Sequence, residues 1–269
     1  MKKLLLLSVI LSGLLVACST VPITGRQQLN LVSDQEVLTL SLQEYTDFMK
    51  TAKKSTDKTN TALVTKVGTN IANAVSLYFK SIGQESLLSE YSWEFNLVED
   101  AQVNAFCMPG GKIVVYTGIL PVTQDETGLA VVLGHEVGHA IAKHANERLS
   151  QQIITQYGTE ALTSLLGGKS EATKTLAQQT LGLGAQYGVM LPFGRKQELE
   201  ADHLGLDLMA IAGYDPQKAV SFWQRMSASG TAAVPEFLST HPSDASRIAE
   251  IQKYLPEAME VYNSIHGTK

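Results

Sequence analysis

The chain has 269 residues, with 26 acidic side chains against 21 basic ones and a formal net charge of −5. No basic cluster stands out, so nucleic-acid binding has no electrostatic support. The length left after an N-terminal leader suits one sizeable domain, without internal repeats or extended low-complexity tracts.

The start of the chain reads as an address. Lys2 and Lys3 form a basic n-region, and residues 4–16 are an apolar run too short to span a bilayer. The run ends in Leu15-Val16-Ala17-Cys18, which resembles a bacterial lipobox. Residues 1–17 are then expected to be a lipoprotein signal peptide, Cys18 the acylated N-terminus, and residues 18–31 a lipidated tether with little periodicity. Several buried acyl chains anchor a protein stably, at about 0.8 kcal/mol per methylene. Ser19 rather than Asp follows the cysteine, which resembles sorting to the outer membrane. Cys107, the second of two cysteines, would be a lone thiol, and its apolar neighbourhood reads as core.

A single domain is expected over residues 32–269. Ser33 with Glu36 fits a capping box opening a helix to about Met49. Leu63, Val67, Ile71, Val75, Tyr78 and Ile82 recur at helical spacing and predict an amphipathic helix. Three β-prone runs follow, Glu-Phe-Asn-Leu-Val from Glu94, Asn-Ala-Phe-Cys-Met from Asn104 and Lys-Ile-Val-Val-Tyr from Lys112, with Pro109-Gly110-Gly111 as a turn between the last two. Asn104, Ala105 and Phe106 are the candidate strand for pairing with a substrate backbone, and equally a packed interior strand. Thr123 with Glu126 reads as the cap of the next helix, and residues 131–149 read as one continuous helix. Residues 181–195 carry Gly182, Gly184, Gly188, Pro192 and Gly194, which suits a mobile connection able to cover a site or a plain interhelical loop. A strongly helical acidic stretch runs from Arg195, and Asp215-Pro216 reads as a cap and first-turn pair. A small sheet in a mainly helical chain makes the fold class α+β.

The chemistry sits in His-Glu-Val-Gly-His at His135 to His139. Histidines at i and i+4 share a helix face and can reach one metal ion. Glu136 is rotated about 100° from His135, beside the metal without being forced to ligate it, as a base acting on water requires. Downstream, Glu198 and Asp202 share another helical face. Glu198 is the candidate third ligand, and Asp202 the acceptor that fixes one imidazole's tautomer. Glu200 reads as solvated, and His144, His203 and His266 as structural or solvated, since none has a partner at useful spacing.

These motifs resemble the zinc metallopeptidase family of HtpX and the CAAX prenyl endoproteases, in its soluble periplasmic lipoprotein branch with BepA and LoiP. Residues 104–120, the stretch 238–248 with His241 and Arg247, and residues 22–36 resemble the family too. The resemblance implies a zincin-like domain with an HExxH active-site helix and one zinc on His135, His139 and Glu198. It implies Glu136 as the base, Asp202 behind the ligands, and His241 and Arg247 flanking the reacting carbonyl. His241 has two competing roles, an oxyanion donor or a ligand closing the fourth zinc position at rest.

Two functions stay open on the sequence. One is a zinc endopeptidase of the bacterial periplasm, lipid-anchored to the outer membrane, that cleaves unfolded or misassembled envelope proteins. The other is a non-catalytic chaperone or assembly factor for outer-membrane proteins on the same fold. Either would meet unfolded polypeptides and, through them, the outer-membrane assembly machinery.

Overall fold

The computed structural model describes residues 18–153, 194–228 and 245–267. A short antiparallel hairpin, β1 (Cys18–Thr20) and β2 (Gln27–Leu29), precedes helices α1 (Asp34–Thr51) and α2 (Lys58–Ser81). Strands β3 (Glu94–Val98), β4 (Ala105–Met108) and β5 (Lys112–Tyr116) form one sheet in the order β3-β5-β4. Strand β5 runs parallel to β3 and antiparallel to β4. Helices α3 (Leu120–Thr123), α4 (Glu126–Ile141), α5 (Arg195–Ala212), α6 (Lys218–Ala228) and α7 (Ala245–His266) follow, with a further helix over residues 144–153. The three β-prone runs and the α+β class are therefore observed.

The sheet is buried on both faces, which explains the unbroken apolar run Ile113-Val114-Val115 in its central strand. Ala105, Cys107, Ile113 and Val115 point into one core with Val67, Ile71 and Val75 of α2 and Leu129 and Leu133 of α4. Phe106, Met108, Val114 and Tyr116 alternate to the other side, against Val37 and Tyr45 of α1 and Leu149. Phe48 of α1 meets Phe106 edge-on at 5.5 Å. Each large side chain buried this way contributes about 1.5–3 kcal/mol. The turn between β4 and β5 uses Gly110 and Gly111 at φ +86° and +82°, a region other residues enter only at a cost. Cys107 is a buried free thiol within this core.

Backbone proximity of α4 and α5 positions the site. A methyl on Gly134 would come within 2.9 Å of Gly205 O, one on Gly138 within 2.8 Å of Ala201 O, and one on Gly205 within 2.9 Å of His135 N. The glycines inside and just before the His-Glu-Val-Gly-His motif thus let a second helix lie directly against it, bringing α5 carboxylates to α4 imidazoles.

Three expectations change. Ser33 caps α1 as expected, accepting from Glu36 N, but α4 is capped by Asp125, which accepts from Gly128 N at 2.7 Å. Thr123 instead ends α3 and donates to Leu120 O. The segment expected as a tether is folded over most of its length, with Val21 only 1% exposed in the main core. Its turn places Ile23 and Gly25 at φ +66°, a conformation that hydrophobic periodicity does not reveal. Finally, residues 131–149 are not one helix. The helix stops at Ile141, and Lys143 takes the left-handed conformation at φ +56°. Gln28 Nε2 donates to Ala142 O at that break, and Lys143 pairs with Asp34. Residues 181–193 of the glycine-dense connection lie outside the described residues. Among the described residues, no helix is long and apolar enough to cross a membrane.

Candidate metal centre

Helix α4 delivers His135, Glu136 and His139 and α5 delivers Glu198, all at most 4% exposed. The two Nε2 atoms lie 3.1 Å apart. Glu198 places Oε2 3.4 Å from His135 Nε2 and Oε1 3.3 Å from His139 Nε2. Bonds of roughly 2.0–2.1 Å to a tetrahedral ion put its donors roughly 3.3–3.4 Å apart, so this donor set has the right spacing for zinc. Two imidazole nitrogens and a carboxylate turned together out of water are also the donor types that a zinc ion takes. Among the described residues, this is the one His/Cys/Asp/Glu group so arranged.

Each imidazole is held from behind. His135 Nδ1 lies 2.8 Å from Asp202 Oδ1, which leaves Nε2 to face Glu198. Burial and Arg247 push the His135 pKa down, but Asp202 and Glu198 more than offset them and lift it to about 9. A metal at Nε2 competes with that proton. Burial holds His139 well below the usual histidine range despite Glu198, which keeps it in the neutral form a ligand needs.

Arg247 of α7 completes this layer. Its Nε and Nη2 donate to Asp202 at 2.6 and 2.8 Å, its Nη1 lies 3.1 Å from Glu198 Oε2, and its guanidinium stacks 3.5 Å from the Trp223 ring centre. Burial opposes the Asp202 charge, yet Asp202 is still held below the usual aspartate range by Arg247 and His135. Arg247, expected to flank a reacting carbonyl, grips the carboxylates of Asp202 and Glu198, because α7 packs against α5. His241 lies outside the described residues.

Sequence reasoning misjudged His144 and Glu200. His144 is fully buried, with Nδ1 2.7 Å from His139 Nδ1 and Nε2 3.0 Å from Glu200 Oε2. Glu200 is 7% exposed rather than solvated. Burial raises its pKa, but bonds from His144, Thr24 and Arg26 win and hold it at about 2. The break at Lys143 explains the error: extending one helix from His139 to His144 gives five residues and the wrong face, whereas the turn folds His144 back onto its neighbour. His203 stacks on Tyr254 at 4.0 Å, and His266 is exposed, with Nε2 3.1 Å from Ile211 O, as structural roles require.

Glu136, next to His135 on α4, is buried, and its charge acts on Cys107, Arg148 and Arg247. Burial, assisted by Glu136, pushes the Cys107 thiol well up, which suits a core residue rather than a nucleophile. Strand β4 is an edge of the sheet as described and packs against α4. Asn104, Ala105 and Phe106 are nonetheless buried, and Ala105 N donates to Asn104 Oδ1.

Two imidazoles and a carboxylate meeting from glycine-apposed helices, with a glutamate beside them in an α+β fold, define a zincin-like metallopeptidase domain. Residues 70–255 match Peptidase family M48, whose members use zinc, and the chain belongs to that family. It is 40% identical to the mitochondrial metalloendopeptidase OMA1 of Schizosaccharomyces pombe over 188 residues, covering 68% of this chain and 53% of that protein. Against the mitochondrial metalloendopeptidase OMA1 of Homo sapiens it is 30% identical over 246 residues, 89% of this chain and 46% of the relative. The beta-barrel assembly-enhancing protease of Escherichia coli is 28% identical over 183 residues, 64% of this chain and 37% of that protein. The chain thus spans about half the length of these two mitochondrial relatives.

Proposed function

We propose that this protein is a zinc-dependent endopeptidase that hydrolyses peptide bonds in unfolded or misassembled polypeptides. The observation that carries the reading is the convergence of His135, His139 and Glu198 at tetrahedral donor spacing with Glu136 alongside. When bound, zinc polarises the scissile carbonyl and makes water nucleophilic at neutral pH. Glu136 takes the proton from the attacking water and returns it to the leaving amine. Asp202 and Arg247 hold the ligand set, and His241 is the candidate for the oxyanion or the fourth ligand position. Asn104, Ala105 and Phe106 are the candidate strand for an extended substrate; main-chain pairing there favours unfolded chains over compact ones. A non-catalytic binder on the same fold would not need an acid in the place of Glu136, and its presence favours the enzyme.

Unfolded casein is expected to be cleaved, cleavage to stop on chelation, and zinc to restore it. Chelation that leaves the rate unchanged would sink the zinc reading.

The proposed place of work is the bacterial periplasm, on the outer membrane through acylated Cys18, with quality control of envelope proteins as the task. Support comes from the lipobox-like Leu15-Val16-Ala17-Cys18 and the Ser19 that follows. The E. coli relative is named for β-barrel assembly, which agrees, while the OMA1 relatives are named for mitochondria. Cells expressing the wild type are expected to incorporate labelled palmitate into this protein, and Cys18→Ala to abolish the label. A wild-type protein that takes up no label would exclude the anchor.

A further inference from the structure

The N-terminal hairpin reaches the metal centre through one side chain. Arg26, at the start of the β2 arm, is 13% exposed in its side chain. Its Nη1 and Nη2 fork onto Glu147 Oε1 and Oε2 at 2.7 and 2.8 Å, and its Nε donates to Glu200 Oε2 at 2.6 Å. Glu147 also accepts from Gln197 Nε2 of α5 at 2.6 Å. Glu200 accepts from Thr24 as well, which ties the same hairpin turn to α5 a second time. The relay inward is continuous: Glu200 to His144 Nε2, and His144 Nδ1 to His139 Nδ1.

One assignment of protons satisfies every link. With His139 Nε2 turned to the metal, its Nδ1–H donates to His144 Nδ1. His144 Nε2–H then donates to the Glu200 carboxylate, which Arg26 holds ionised and in place. His135 has the same arrangement in one step, through Asp202 and Arg247. Each imidazole is therefore backed by a carboxylate gripped by an arginine, one arginine from α7 and the other from the hairpin.

We propose that Arg26 is a positioning residue for the metal centre, acting on His139 through Glu200 and His144. The hairpin adjoining Cys18 is then part of the zinc site rather than a spacer. This rests on the zinc-site reading above, so zinc binding by the wild type is measured first. If the wild type binds no zinc, that reading fails on its own account.

The test is zinc affinity, by competition with a chelator of known affinity, beside thermal unfolding of each variant without added metal. Loss of a partner behind a metal-ligating histidine typically costs 10–100-fold in affinity. Arg26→Ala is expected to weaken zinc binding about 10-fold or more, and Glu200→Gln by a similar factor. Arg26→Lys keeps a charge near Glu200 but cannot fork onto Glu147, so it is expected between wild type and Arg26→Ala. Asn30→Ala removes a contact inside the hairpin, from Asn30 Nδ2 to Ser19 Oγ, without touching the relay. It is expected to lower the unfolding temperature and leave zinc affinity unchanged. If Arg26 acts through Glu200, adding Arg26→Lys to Glu200→Gln changes affinity little further. Unchanged zinc affinity in Arg26→Ala alongside a lowered unfolding temperature would overturn the proposal. Should that variant not fold, additive effects of Arg26→Lys and Glu200→Gln would overturn it equally.

Discussion

Glu136→Gln is expected to bind zinc as the wild type does and to cleave an unfolded substrate about 10²–10⁴-fold more slowly, the usual worth of a positioned general base. The substitution preserves the side chain's shape, and Glu136 is not among the three converging donors. The buried amide cannot take the proton from water, so binding and chemistry separate. Zinc content and initial rate, measured on one preparation, check both halves. A zinc-loaded Glu136→Gln protein with substantial activity would remove Glu136 from the reaction.

Glu198→Ala is expected to act one step earlier, on the metal itself. It deletes the one carboxylate that faces both Nε2 atoms and leaves the buried Arg247 Nη1 without that contact. Zinc affinity should fall by more than the roughly 10–100-fold typical of a partner behind the ligands, and activity should fall with it. Glu200→Ala should lie between Glu198→Ala and wild type, because Glu200 supports His139 through His144 rather than facing the metal. Elemental analysis after dialysis against a weak chelator ranks the variants. Equal zinc retention in Glu198→Ala and wild type would take Glu198 out of the ligand set.

The three converging donors, His135, His139 and Glu198, are legible because a rigid helix fixes their geometry. Spacing of i and i+4 puts His135 with His139 and Glu198 with Asp202 on shared faces, whatever the rest of the chain does. The strands were legible from their β-prone runs and from the paired glycines between β4 and β5. What escaped depends on departures from regular geometry. The left-handed Lys143 cannot be read from a periodicity that assumes an unbroken helix, and the turn it makes is where His144 folds back to His139. Glu200 looked solvated because its partners, Arg26 and Thr24, stand 174 and 176 residues away. The hairpin looked like a tether because two three-residue strands are too short to show a period. The contacts of Arg247 with Asp202 and Glu198 come from the packing of α7 against α5, which no spacing within the chain reveals.

The seat of the metal is tested most directly by anomalous diffraction at the zinc edge, on crystals grown with one equivalent of zinc. A single peak between His135 Nε2, His139 Nε2 and the Glu198 carboxylate is the expected result. A peak seated elsewhere, or none at this cluster when the protein carries its full complement of zinc, would contradict the ligand set and the reaction assigned to Glu136.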